Sequence, residues 1–197
     1  MVGRPRPHDP AQDHPGRPEP ARRLLILLVR HGESTWNAEA RLQGQQDPAL
    51  SDTGRAQARA LAPLVARFGI PAARAVVSDL TRARETAELL GLGDARQDPA
   101  WREIDVGAWA GRTAAEVDAE GDGLTNWRGG PRTAPDGETW ADFSVRVTTA
   151  LAGLLDAGGD WVVVSHGGCI RASCAHVTGG DALAFGSPPN ASATVLE

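Results

Sequence analysis

Two histidines follow apolar runs of the chain, where a sheet edge could bring their reactive rings together. His31 and His166 each follow an apolar run typical of a buried strand, and each directly precedes a glycine. Arg30 precedes the first of them, which would place a guanidinium beside an imidazole. A single histidine in such a place is more often structural, but two equivalent ones favour a shared site. The two imidazoles and the guanidinium are therefore expected at one edge of the predicted sheet.

A second guanidinium and a carboxylate could complete such a site. Arg82 follows the next buried run, and Glu103 lies further along the chain. On spacing alone, Arg82 would usually be a solvated helix residue, and Glu103 could pair with Arg102 or Arg112 at the surface. Two guanidiniums close to His31 would disfavour its protonation, which would leave a ring nitrogen free to attack without a separate base.

The order of these motifs resembles the histidine phosphatase superfamily, in its phosphoglycerate-mutase-like branch. The resemblance covers the chain from Leu24 to about Gly168 and continues weakly to the last residue. The matching segments are Arg30–Asn37, Gln43-Gly44 with Asp47, Leu50-Ser51 with Gly54, Ser78–Ala83 with Thr86-Ala87, Arg102-Glu103 with Gly107, Trp109 and Gly111, and Ser165–Gly168.

The resemblance implies a role for each polar residue of the site. His31 would be the nucleophile that receives the phosphoryl group, and Glu103 would protonate the leaving oxygen and then activate water. The groups that hold the equatorial oxygens would be Arg30, Arg82 and His166. The substrate-binding residues would be Asn37, Gln43, Gly44 and Gly167. The resemblance implies no metal and no other cofactor.

The pocket of this family supports more than one reaction. Mutases of the family carry a longer insertion between the acid and the second histidine, whereas the segment from Glu103 to His166 is short here. The short segment favours a metal-independent phosphomonoesterase that hydrolyses small-molecule phosphate esters through a phosphohistidine intermediate. The alternatives are a phosphoglycerate-type mutase, a phosphohistidine-protein phosphatase and, last, a non-catalytic phosphate-binding module.

The choice of substrate should depend on the rim of the site. A carboxylate or a second phosphate on the substrate could meet rim arginines. The candidate rim arginines are Arg41, Arg112, Arg128 and Arg132. In three short segments the sequence is similar to bacterial glucosyl-3-phosphoglycerate phosphatases and broad-range acid phosphatases. This similarity lies in Gln43-Gly44-Gln45, Trp109-Ala110-Gly111 and Asn190-Ala191-Ser192.

Alternating strand and helix patterns predict the elements that position these residues. The predicted strands are Leu24–Arg30, Ala75–Ser78, Trp161–Ser165 and Ala191–Leu196. The predicted helices are Ser51–Phe68, Asp79–Leu90, Thr139–Asp156 and Cys169–Val177. This alternation predicts an α/β fold, a three-layer α/β/α sandwich with a mostly parallel central sheet. In such sheets the functional site lies beyond the carboxyl ends of the strands.

Composition divides the chain of 197 residues into a tail and one domain. Residues 1–22 hold six of the 14 prolines and no apolar cluster, which predicts a disordered Pro/Arg-rich tail. Residues 23–197 are long enough for a single histidine phosphatase domain with one core. Within it, Gly121–Gly137 is a long, polar, glycine-rich segment, which is typical of a loop that is either functional or disordered.

Charge and residue usage exclude several classes of function. The formal net charge is −5, and the first 23 residues carry five arginines against three acidic residues, so the remainder is more acidic still. An acidic domain argues against nucleic acid as a partner. The six-residue aliphatic run Leu24–Val29 is too short to span a membrane.

All 20 basic residues are arginine, which excludes Schiff-base chemistry and a Walker-A phosphate loop. Cys169 and Cys174 are too few and too close for a disulfide framework. We therefore expect a cytoplasmic enzyme whose partner is a small phosphate ester or inorganic phosphate, with no nucleic-acid or membrane partner. A homodimer is compatible with the sequence.

Overall fold

A computed structural model describes residues 24–119 and 134–197 of the chain. The described residues form a five-stranded sheet in the order β3-β2-β4-β1-β5. The strands are β1 (Ile26–Arg30), β2 (Ala75–Val77), β3 (Arg96–Gln97), β4 (Trp161–Ser165) and β5 (Ala193–Leu196). The pairs β1·β4, β2·β4 and β2·β3 are parallel, whereas β5 runs antiparallel to β1. The prediction of a mostly parallel sheet is confirmed.

Helices cover both faces of this sheet. They are α1 (Thr35–Ala38), α2 (Asp52–Ala66), α3 (Thr81–Leu89), α4 (Ala114–Ala119), α5 (Trp140–Ala157) and α6 (Gly167–Thr178). Short 3₁₀ helices lie at Ala72–Arg74, Pro99–Trp101, Gly107–Trp109 and Ala182–Ala184. None of the helices in the described ranges combines the length and the hydrophobicity that a membrane crossing requires.

Alternate residues of β1 belong to two separate cores, which makes the fold three-layered. Ile26 and Leu28 pack with residues of α5 and α6 on one face. Leu27 and Val29 pack with residues of α2 and α3 on the other face. Successive side chains of a strand point to opposite faces, so an all-apolar strand needs cover on both sides. The predicted α/β/α sandwich is therefore confirmed.

Some elements differ from the predicted ones at their ends. Ser51 caps α2 as predicted, with its side chain accepting a hydrogen bond from the backbone N–H of Gly54. Helix α3 starts at Thr81 rather than at Asp79, and α6 starts at Gly167 rather than at Cys169. The earlier start of α6 puts the Gly-Gly pair after His166 into the first turn of the helix.

Among the described α-helices and strands, α1, α4 and β3 were not predicted, and neither were the 3₁₀ helices. Each is short, and β3 consists of two exposed polar residues that carry no apolar signal. Two of the sequence hypotheses lie outside the described residues. They are the disordered tail of residues 1–22 and most of the segment Gly121–Gly137, including Arg128 and Arg132.

The register of the two central strands positions the site. Arg30 at the end of β1 is aligned with Ser165 at the end of β4. The next residue of each strand is a histidine, and the backbone N–H of His31 donates to the carbonyl of Ser165 at 3.0 Å. The two histidines therefore leave the sheet side by side, at its carboxyl edge.

Candidate active site

The His31 ring is buried and held in one tautomer. Its Nδ1 lies 2.6 Å from the carbonyl oxygen of Gly32, so Nδ1 carries the hydrogen and Nε2 keeps its lone pair. Burial, followed by the positive charges of Arg82 and Arg30, holds the pKa of His31 well below its usual range. The imidazole is therefore neutral near pH 7, and its Nε2 has the electronic state of a nucleophile.

The His166 ring packs against His31 but lies behind the open part of the site. The two ring centroids are 5.1 Å apart in an edge-to-face arrangement. His166 is completely buried and is absent from the lining of the cavity described below. Its Nε2 lies 2.8 Å from the Ser78 hydroxyl, whereas its Nδ1 has no hydrogen-bond partner among the described residues. Burial, then Arg82 and His31, lowers its pKa well below the usual range.

Arg82 is a buried guanidinium and not a solvated helix residue. Its two terminal nitrogens donate to the carbonyl oxygens of Gln46 at 2.7 Å and Gly44 at 2.8 Å. Its Nε is buried without a hydrogen-bond partner among the described residues. Burial lowers the pKa of Arg82 to about 10, which still leaves the group charged near pH 7. A fixed, charged and partly unsatisfied guanidinium is what a phosphate site requires.

The loop of Gly44 is shaped to receive Arg82. Gly44 has a φ of +52°, and a Cβ at this position would meet the side chain and backbone nitrogen of Val106 at 2.7 Å. The adjacent Gln43 is buried, and its Oε1 accepts a hydrogen bond of 2.8 Å from the Ser34 hydroxyl. Both predicted substrate-binding residues of this loop line the cavity that is described below.

The side chain of Arg30, at the end of β1, contacts the segment that precedes β5. One of its terminal nitrogens donates to the carbonyl oxygen of Pro188, and the same nitrogen lies 3.5 Å from the Ser187 hydroxyl. Asn37 is held similarly, because its Oδ1 accepts hydrogen bonds of 3.2 Å from the Ser34 backbone and from Asn190. With its oxygen engaged, Asn37 offers its amide nitrogen as a donor.

The Glu103 carboxylate is held by backbone donors. Oε1 accepts a hydrogen bond from the N–H of Ile104 at 2.9 Å, and Oε2 accepts one from the N–H of Gly168 at 3.0 Å. The alternative surface pairings of Glu103 are wrong. Arg102 forms a two-pronged ion pair with Asp79, at 2.7 and 2.6 Å. Arg112 donates to the backbone carbonyl of Glu116.

These groups surround one cavity of about 170 Å³. The predicted site residues that line it are Arg30, His31, Asn37, Gln43, Gly44, Arg82, Glu103 and Gly167. The further polar or charged lining residues are Arg41, Arg171 and Ser187, and the apolar ones include Leu42, Ile104, Val106 and Trp140. Of the predicted rim arginines, Arg41 is at the cavity and Arg112 is not. Within the described residues, no cluster of three or more His, Cys, Asp or Glu side chains is arranged to hold a metal ion.

Comparison with known proteins identifies the family of the chain. Residues 26–197 match the sequence profile of the histidine phosphatase superfamily (branch 1). The chain belongs to this superfamily. The predicted resemblance is therefore confirmed, and so is the predicted enzyme class, a phosphatase.

Relatives of this histidine phosphatase carry two different names. It is 39% identical over 164 residues to a protein of Enterobacter sp. (strain 638) named "Probable phosphoglycerate mutase GpmB", with 75% of this chain and 73% of that protein covered. It is also 39% identical over 170 residues to the "Glucosyl-3-phosphoglycerate phosphatase" of Mycolicibacterium vanbaalenii, with 78% and 74% covered. A solved mycobacterial glucosyl-3-phosphoglycerate phosphatase in complex with VO₃ superposes with a TM-score of 0.79 at 35% identity, and the match covers 88% of this chain and 92% of that one.

Besides the lining residues Arg171 and Ser187, three further polar residues of this histidine phosphatase contact the site without having been predicted there. Ser78 bonds to His166, and Asn190 donates to the carbonyls of His31 and Gly32 at 3.2 and 3.3 Å. Arg146 donates to the carbonyl of Arg102 at 3.0 Å, beside Glu103. The partners of these contacts lie far apart in sequence, so no local spacing could have indicated them.

Proposed function

We propose that this histidine phosphatase is a metal-independent phosphomonoesterase that hydrolyses small-molecule phosphate esters through a phosphohistidine at His31. One observation carries the proposal: a neutral, buried imidazole has its Nδ1 hydrogen engaged by Gly32 and lies among two guanidiniums. This arrangement supports a nucleophile that needs no separate base, next to charges that suit a phosphate dianion.

In the first half-reaction, Nε2 of His31 attacks the phosphorus and the bond from phosphorus to the ester oxygen breaks. Arg30 and Arg82 line the cavity and hold two of the equatorial oxygens as charge builds on them. The third oxygen is assigned to the Nδ1–H of His166, whose ring centroid lies 5.1 Å from that of His31. Glu103, entering this step protonated, gives its proton to the leaving oxygen. The alcohol departs, and the phosphoryl group stays on His31.

In the second half-reaction, water replaces the alcohol. Glu103, now a carboxylate, takes a proton from water as the water oxygen attacks the phosphorus. The nitrogen–phosphorus bond breaks, and its electron pair returns to Nε2 of His31. Phosphate leaves, and both His31 and Glu103 are again in their starting protonation states. The hydrogen bonds from Ile104 and Gly168 hold the carboxylate in place for this step.

The dimensions of the cavity support a small-molecule substrate. His31 is only 3% exposed, and the described residues leave a cavity of about 170 Å³ in front of it. A phosphate ester with a slender leaving group can reach such a nucleophile more easily than a protein surface can. The name of the mycobacterial relatives, and the position of Arg41 at the cavity, favour phosphorylated acids such as phosphoglycerates and their sugar derivatives as the first compounds to test.

The mutase reaction is the second candidate, because relatives of equal identity are named phosphoglycerate mutases. Both reactions begin with the same phosphohistidine, and they differ in the acceptor of the phosphoryl group. Incubation with a phosphoglycerate separates them. A hydrolase releases inorganic phosphate in proportion to substrate consumed, whereas a mutase moves the phosphoryl group between positions and releases little. A phosphohistidine peptide tests the protein-phosphatase alternative in the same assay.

The proposed function is tested with p-nitrophenyl phosphate. We expect hydrolysis that a chelator does not reduce, that vanadate inhibits, and that His31→Ala abolishes. His176→Ala is the matched control, because His176 is an exposed histidine of α6 away from the cavity. Rapid quenching in base should trap an acid-labile phosphoenzyme in the parent chain and none in His31→Ala. Full activity of His31→Ala would refute the nucleophile assignment.

A further inference from the structure

Ser78 contacts the site from behind and has no part in the steps above. It follows β2, and its backbone N–H donates to the carbonyl of Val164 at 3.0 Å, which continues the pairing with β4. Its side chain is completely buried, and its hydroxyl oxygen lies 2.8 Å from Nε2 of His166. The hydroxyl therefore contacts Nε2 of His166, whereas Nδ1, the other ring nitrogen, has no hydrogen-bond partner among the described residues.

The surroundings of the hydroxyl decide which atom carries the shared hydrogen. The backbone N–H of Leu80 points at the Ser78 oxygen from 3.4 Å, so the oxygen already faces one donor. Among the described residues, the hydroxyl hydrogen has no acceptor other than Nε2 of His166. If Nε2 carried the hydrogen, the buried hydroxyl would have nowhere to donate, which is costly. The favoured arrangement has Ser78 donating to a bare Nε2.

A bare Nε2 has a direct consequence for the other side of the ring. A neutral imidazole carries one hydrogen, so the hydrogen must then sit on Nδ1. Burial and the nearby arginines lower the pKa of His166, which keeps the ring neutral near pH 7. Nδ1 is buried and lacks a hydrogen-bond partner among the described residues. A buried N–H without an acceptor is rare in native structures, and under the proposed function the phosphoryl group at His31 supplies the acceptor.

We propose that Ser78 is a positioning residue that fixes the tautomer of His166, so that Nδ1–H donates to a phosphoryl oxygen. This inference rests on the proposed function, because the ligand is the phosphoryl group bound at His31. In the opposite tautomer, the lone pair of Nδ1 would face a negatively charged oxygen and repel it.

The tautomer can be read directly by NMR of the whole chain labelled with ¹⁵N-histidine. The His166 signals are assigned by their loss in His166→Gln. We expect a protonated Nδ1 and an unprotonated Nε2 at pH 7.5, and we expect inorganic phosphate to shift the Nδ1–H signal. A hydrogen on Nε2, or on both nitrogens, would overturn the proposal. This measurement needs no serine variant and no turnover. An inactive parent chain would therefore defeat the proposed function without deciding the tautomer.

Kinetics of serine variants provide the second test. For Ser78→Ala we expect kcat/KM for p-nitrophenyl phosphate to fall roughly five- to tenfold, the effect of one lost hydrogen bond, with a matching rise in the inhibition constant of inorganic phosphate. Ser78→Thr keeps the hydroxyl and should recover most of the loss. The matched control is Ser173→Ala, because Ser173 is an equally buried serine whose hydroxyl has no partner among the described residues. Parental kinetics in Ser78→Ala, or an equal loss in Ser173→Ala, would contradict the assignment.

Discussion

The carboxylate of Glu103 accepts a hydrogen bond of 3.0 Å from the backbone N–H of Gly168, in the first turn of the helix that follows His166. The segment that carries Glu103 is also held from its other side. Arg146 donates to the carbonyl oxygens of Ala100 and Arg102, at 2.9 and 3.0 Å. The proposed proton donor is therefore fixed to the strand end that presents the second imidazole.

Substitution of Glu103 should act mainly on poor leaving groups. For Glu103→Gln we expect kcat/KM for alkyl phosphates to fall about a hundredfold, because their leaving oxygen needs a proton in the transition state. The loss for p-nitrophenyl phosphate should be milder, because its leaving group departs without one. The measurement is a series of esters with graded leaving-group pKa. An equal loss across the series would count against a general acid at this position.

Arg146 should support the same step without touching the substrate. Its guanidinium forms a two-pronged ion pair with Glu138, at 2.9 and 2.7 Å. For Arg146→Met we expect a loss of about 2 kcal/mol in the free energy of unfolding, because the carbonyls and Glu138 lose their donors. Activity should fall with the leaving-group dependence of Glu103→Gln. Arg96→Met is the control, because the Arg96 side chain is 61% exposed. A rate loss that does not depend on the leaving group would indicate that the substitution disturbs the whole site and not the proton transfer from Glu103.

The buried imidazoles should leave a signature in the pH dependence. The pKa values of His31 and His166 are lowered below 6.5, so the folded chain binds fewer protons than the unfolded chain as the pH falls past 6.5. The free energy of unfolding should therefore decrease between pH 7 and pH 5. The decrease should be smaller in His31→Asn, as measured by urea denaturation at each pH. Because the pKa of His31 lies well below 6.5, protonation of His31 should not lower kcat/KM as the pH falls past 6.5.

The close approach of the loop after β1 and the start of α2 should make Gly54 irreplaceable. A Cβ on Gly54 would lie 1.9 Å from the carbonyl oxygen of Glu33. For Gly54→Ala we expect a loss of about 3 kcal/mol or more in the free energy of unfolding, because backbone must move. The control is Gly153→Ala, where a Cβ meets nothing within 4 Å inside α5. That variant should gain about 0.5–1 kcal/mol from helix propensity, and its thermal midpoint should rise.

Much of the sheet could be predicted from sequence because its central strands are uniformly apolar. The runs that became β1 and β4 are buried on both faces, and their composition shows it. The direction of β5 was not predicted, since an isolated strand of four partly exposed residues fits either orientation. Strand β3 was missed because Arg96 and Gln97 pair through backbone atoms alone.

The sequence could predict those residues of the proposed site that directly follow a recognisable strand. His31 and His166 were suggested by the strands that precede them, and they meet because parallel strands share an edge. Arg82 lies in α3 and was indicated only by the family resemblance, since its spacing alone favoured a solvated helix residue. Ser78 and Asn190 belong to segments that carried the resemblance, but nothing in the sequence predicted that they contact the site. Their contacts join residues 88 and 159 positions apart, and depend on how the loops close over the sheet.

The parallel pairing of β1 and β4 gives the two imidazoles a fixed geometry. The centroids of the His31 and His166 rings are 5.1 Å apart, which is close to the spacing of about 4.8 Å between neighbouring strands. The backbone ladder therefore sets the gap between the two imidazoles, while other loops line the mouth of the cavity. The spacing of the two imidazoles should therefore survive single substitutions at lining residues that hold no catalytic group, such as Leu42.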